Sequence, residues 1–160
     1  MSRQHTLLAL ALMGAIGPAA AVDPATSGAL SVPANRIVGL WRTQAAVGPC
    51  GTNTFPQQIR NSLLFHAGGT MMESVVPNTV RAEGLGTWSY NPTTQQYRMK
   101  LQFDRWAPDG TNVGYSTVER QLLMNTAGTQ MAGPVYAVHY AADGSVIVQL
   151  CGHAVSTRQW

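Results

Sequence analysis

Three observations predict an all-β protein, an eight-stranded antiparallel up-and-down barrel. From Arg36 to Trp160, short β-forming runs alternate with Gly, Pro, Asn and Asp turn signals. No apolar stripe of helical period is long enough to make a helix. The runs number eight and their connections are short, and a meander of that length removes its exposed edges by closing on itself. The two cysteines, Cys50 and Cys151, fall just beyond the first run and inside the last, so a disulfide would fasten the strands that closure makes neighbours. A two-sheet sandwich is the competing arrangement.

The first run, Arg36 to Ala45, puts Ile37, Gly39, Trp41 and Thr43 on one face. Gln58 to His66 follows, with Ile59, Leu63 and Phe65 in phase, and Gly68-Gly69 is a hairpin signal leading into Thr70 to Val76. Arg81 to Tyr90 is the fourth run, and Asn91-Pro92-Thr93-Thr94 turns the chain into Gln96 to Trp106. This fifth run alternates most cleanly, with Tyr97, Met99, Leu101 and Phe103 opposite Arg98, Lys100, Gln102 and Asp104, as a half-buried strand requires. Pro108-Asp109-Gly110 precedes Val113 to Met124, and Asn125-Thr126-Ala127-Gly128 precedes Thr129 to Tyr140. Pro134 interrupts that seventh run and marks a bulge or a weakened centre. Asp143-Gly144 then leads to Ser145 to Thr157, the eighth.

Ahead of these runs, residues 1–21 have a positive start at Arg3, an apolar stretch from Thr6 to Ile16 and an Ala19-Ala20-Ala21 end. These are the three parts of a secretory signal peptide. Cleavage after Ala21 removes 21 of 160 residues and leaves 139, one ordinary domain. Residues 22–35 hold Ala, Pro, Ser, Gly and Thr with little to bury and read as a flexible lead-in, with the barrel domain spanning 36–160. The expected location is therefore periplasmic or secreted, with no membrane association after cleavage. Oxidising compartments favour disulfides, and Cys50 with Cys151 would close a loop of about 100 residues.

The net charge of +3 falls to +2 once Arg3 leaves, and the other basic residues are scattered along the chain. A nucleic-acid footprint would cluster them, so no nucleic-acid partner is expected. His66, His139 and His153 have no zinc-type spacing, and no metal or other cofactor is expected. The chain also lacks G-x-S-x-G, H-E-x-x-H and P-loop segments.

Gly39-Leu40-Trp41 resembles the G-x-W opening of lipocalin-like (calycin-type) barrels, and Arg158 stands near the end of the last strand, where lipocalins stack an arginine on the tryptophan. Asn125-Thr126-Ala127 stands where lipocalins carry a Thr-Asp-Tyr-type motif. The segment Leu64-Phe65-His66-Ala67-Gly68-Gly69-Thr70 is similar to one in exported bacterial proteins. The resemblance implies an up-and-down barrel able to hold one small ligand.

In a meander alternate strand ends share a rim. Glu83, Arg105, Trp106, Tyr115, His139 and Tyr140 are thereby expected at one open mouth. The expected cavity is lined by Trp41, Tyr97, Met99, Leu101 and Phe103, with Arg105, Tyr115 and His139 recognising a polar ligand end; a filled barrel fits the same pattern. The function read from the sequence is binding of a small, largely apolar molecule. Two alternatives stand beside it: a barrel enzyme using Glu83, Arg105 and His139 in isomerase- or cyclase-like proton transfer, and an exported protease-inhibitor or interaction module using the 22–35 arm on a protein partner.

Overall fold

A computed structural model describes residues 33–75 and 80–160; the expected signal peptide and most of the lead-in lie outside the described residues. A 3-10 turn at Ala34–Ile37 precedes eight strands: β1 (Gly39–Pro49), β2 (Gln57–Phe65), β3 (Thr70–Val75), β4 (Gly84–Asn91), β5 (Gln96–Trp106), β6 (Asn112–Met124), β7 (Gln130–Tyr140) and β8 (Val146–Arg158). Each strand pairs antiparallel with the next, and β8 pairs back onto β1 from Trp41↔Arg158 to Pro49↔Leu150. The fold is the closed up-and-down barrel that the alternation of the runs predicts.

The largest boundary shifts fall on the first strand, which ends at Pro49 instead of Ala45, and on the starts of the first and fourth. The first run was expected to be extended from Arg36, but Ala34 and Ile37 are fully buried in the 3-10 turn, and the Ile37 carbonyl accepts the Trp41 indole N–H at 2.8 Å. Pro33, the last residues of the expected lead-in and this turn thus close one end of the barrel, with Tyr97 Oη donating to the Pro33 carbonyl at 2.7 Å. The fourth strand starts at Gly84 instead of Arg81, and Arg81 makes only an isolated bridge to Arg105. At Pro134, which has no N–H to give, the β6–β7 ladder passes from Arg120↔Val135 to Leu123↔Ala132 without pairing the residues between.

The interior has two unlike halves. Toward the closed end Trp41, Phe65, Trp88, Tyr97, Leu122 and Met131 belong to one buried cluster. Toward the other end the cluster is built of Ala45, Val47, Val135, Ala137, Leu150 and Ala154. Cys50 and Cys151 form a disulfide where β1 leaves the sheet, and the Cys50 N–H extends the seam to the Gln149 carbonyl at 3.0 Å.

Candidate ligand cavity

Alternation decides which side chains point inward, and residue size decides whether they meet. In the closed half, aromatic rings from nearby strands fill the interior: Phe65 lies edge-on to Trp88 at 6.4 Å between centroids, and Trp88 lies 6.2 Å from Tyr97. In the open half the inward positions of β1 and β7 carry Ala45 and Ala137, which are too short to reach the axis. A cavity of about 220 Å³ remains there, walled by Ala45, Val47, Ile59, Val118, Val135 and Leu150 among others. At about 30 Å³ per water it has room for roughly seven waters, a space for a small molecule rather than a packing defect.

A polar layer separates the two halves. Thr43 Oγ1 and Ser156 Oγ share a hydrogen bond of 2.7 Å across the β1–β8 seam. From β6, Arg120 reaches Ser156 Oγ with Nη2 at 3.4 Å and Nη1 at 3.5 Å, while its Nε has no hydrogen-bond partner among the described residues. Arg120 is 4 % exposed, and burial lowers its pKa to about 10 against the opposing pull of Glu73. Glu73, also buried, accepts from Asn61 Nδ2 on one oxygen and from Arg81 Nη2 on the other. Arg81 in turn lies over the Phe103 ring, 3.4 Å from its centroid.

Nearer the mouth, Arg105 and His139 line the same cavity. Arg105 Nη1 is buried without a hydrogen-bond partner among the described residues. His139 Nδ1 and Ser116 Oγ share a hydrogen bond of 2.6 Å. Burial first, and then the Arg105 and Arg81 cations, hold the His139 pKa below its ordinary value, so the imidazole is neutral at physiological pH and able to accept a proton. Gly114 makes this end possible: at φ +121° a Cβ there would lie 2.0 Å from the Tyr140 carbonyl oxygen, beside the irregular β5–β6 register at Arg105 and Trp106.

Of the residues expected to bind a ligand, Met99, Phe103, Arg105 and His139 line the cavity. Trp41, Tyr97 and Leu101 do not; all three are packed in the aromatic-rich buried cluster, where burial and the nearby Tyr90 push the Tyr97 pKa up to about 12. Tyr115 is also elsewhere. Its neighbour Ser116 takes the inward position, and Tyr115 stacks on Tyr140 at 4.7 Å. The Glu83, Arg105 and His139 grouping does not assemble, because Glu83 is exposed and borders an outer-surface hollow with Leu64 and Met72.

Arg120, Glu73, Arg81, Asn61, Thr43 and Ser156 are the residues that sequence reasoning missed. The signal was present for two of them: Arg120 sits in phase between Val118 and Leu122, and Glu73 between Met71 and Val75, each a charge on an apolar face. Among the described residues no three His, Cys, Asp or Glu side chains are grouped to hold a metal ion. No described helix is long and apolar enough to cross a membrane.

The closed eight-stranded barrel, plugged at one end by a 3-10 turn and hollow at the other, has the lipocalin-like architecture. It includes Arg158 stacked on Trp41, with the guanidinium carbon 4.3 Å from the ring centroid. Among solved structures, an S-type phycobiliprotein lyase from Guillardia theta is similar to this chain at 10 % identity and a TM-score of 0.39, over 79 % of this chain and 90 % of that one. No protein-family model and no curated protein matches the chain. At that similarity the lyase carries neither ligand nor activity across.

Proposed function

We propose that the protein is an exported binding protein, periplasmic or secreted, that holds one small, largely apolar molecule in the open half of its barrel. The observation that carries this reading is the cavity itself. Its volume of about 220 Å³ comes from short inward side chains at positions where the closed half uses aromatic rings. Apolar walls would supply affinity by removing ligand surface from water, at roughly 25 cal/mol per Å², and the few polar groups would fix orientation. Export is supported by the three-part amino-terminal segment and by a disulfide of the kind that persists in oxidising compartments.

Native mass spectrometry of the purified mature protein, together with titration of an environment-sensitive apolar fluorophore, tests the proposal. A retained small molecule, or fluorophore uptake that Ala137→Phe abolishes, is the expected result. An empty mass spectrum together with no uptake by the unaltered protein would count against it.

A further inference from the structure

The hollow half of the barrel holds more positive than negative charge. Arg81, Arg105 and Arg120 all line the cavity, and Glu73 is the single carboxylate among its lining residues. That carboxylate is already engaged on both oxygens by Arg81 and Asn61. Among the described residues Arg120 is left with one acceptor, Ser156 Oγ, at the outer limit of hydrogen-bond distance, and that hydroxyl is shared with Thr43. A guanidinium that is 4 % exposed, with an unused Nε–H and two long contacts, is costly to fold around unless something else completes its coordination.

We propose that Arg120 anchors a carboxylate, and that the cavity's ligand is a short amphiphilic monocarboxylic acid lying head-down on the Arg120–Ser156 layer. This rests on the reading of the cavity as a ligand site. A planar guanidinium edge matches a carboxylate bidentately, and the Thr43 hydroxyl, which lines the cavity, can rotate to donate to the same group while accepting from Ser156. The mouth cations serve a different purpose. Arg105 pairs with Gly114, and Arg120 lies six residues further along β6, about 20 Å of strand at ~3.3 Å per residue, so the two side chains enter the cavity from opposite ends. The tail would run from the floor past Ala45, Val135 and Ala137, while Arg105 at the rim attracts anions toward the entrance.

Calorimetric titration of the disulfide-bonded mature protein with octanoate, 1-octanol and octyl phosphate provides the test. Octanoate is expected to bind at least tenfold more tightly than 1-octanol; Arg120→Met should remove that preference while keeping alcohol binding, and Arg120→Lys should restore only part of it. Equal affinity of the unaltered protein for acid and alcohol overturns the carboxylate anchor but leaves the apolar cavity standing. So does a preference that survives Arg120→Met. Failure of every ligand to bind removes both readings, and octyl phosphate binding more tightly than octanoate assigns the floor to phosphate and overturns the ligand class. Should Arg120→Met fail to fold, the acid-to-alcohol comparison on the unaltered protein still decides.

Discussion

Trp41 and Arg158 stand 117 positions apart in the chain and meet across the closing seam, where they are direct ladder partners. Gly39 makes the approach possible. Its φ is +126°, and a Cβ there would lie 2.9 Å from the Trp160 carbonyl oxygen. Arg158 stacks on the indole and donates to the carbonyls of Gly128, Val38 and Arg36, so it ties the β6–β7 turn to the entry of β1. Arg158→Ala is expected to cost about 2 to 3 kcal/mol in urea unfolding, and Arg158→Lys to recover little of it, because an ammonium cannot reproduce the planar fork. His139 gives a pH dependence. Its folded pKa is lowered, so as pH falls through the ordinary value of 6.5 the unfolded chain takes up the proton first. Stability is therefore full above pH 6.5 and declines as pH drops from there through the folded value. His139→Gln should flatten that slope in urea midpoints measured between pH 7.5 and 5, against a background common to both proteins.

At the scale of elements, the seam between β1 and β8 is where the barrel is held closed. The disulfide joins residues 101 apart in sequence, and the chain-entropy model gives such a loop on the order of 4 to 5 kcal/mol. Replacing both cysteines by serine is expected to lower unfolding free energy by about 4 kcal/mol with the β-sheet circular dichroism intact, because the ladder from Trp41 to Pro49 remains. Amide exchange in that variant should accelerate most around Val47–Pro49 and Leu150–Gly152, next to the lost bridge. The number and order of strands were legible beforehand because period-2 patterning and turn residues are local properties. The errors were local too: Arg36 and Ile37 looked like the start of a strand, and only packing shows Ile37 to be part of the plug beneath Trp41.

The whole molecule is a barrel filled at one end and hollow at the other, with a polar layer between. Ala137→Phe places a ring in the hollow half. It is expected to abolish fluorophore uptake while costing less than about 1 kcal/mol in stability, since the added ring enters existing space rather than a packed core. A cost of several kcal/mol in a chemical melt would show that the space does not exist in solution. Half of the expected ligand set shares this hollow because a strand's inward phase can be read from alternation, which placed Met99, Phe103, Arg105 and His139 correctly on an inner face. Height along the barrel cannot be read that way. Trp41 and Tyr97 also point inward, but they bond to the plug at Ile37 and Pro33, while Leu101 is packed into the core.

By itself the sequence determined the strand count, the meander and the pairing of Cys50 with Cys151, because each follows from short-range alternation, turn chemistry or a seam that any closed meander must have; Arg158 over Trp41 was expected only through the resemblance to lipocalin-like barrels. Tertiary structure alone decided that the barrel is hollow in one half, and that Arg120 and Glu73 point into its interior. A cavity is a relation between the sizes of side chains on strands far apart in sequence. Whether a buried charge is satisfied depends on partners that only the closed register brings within reach.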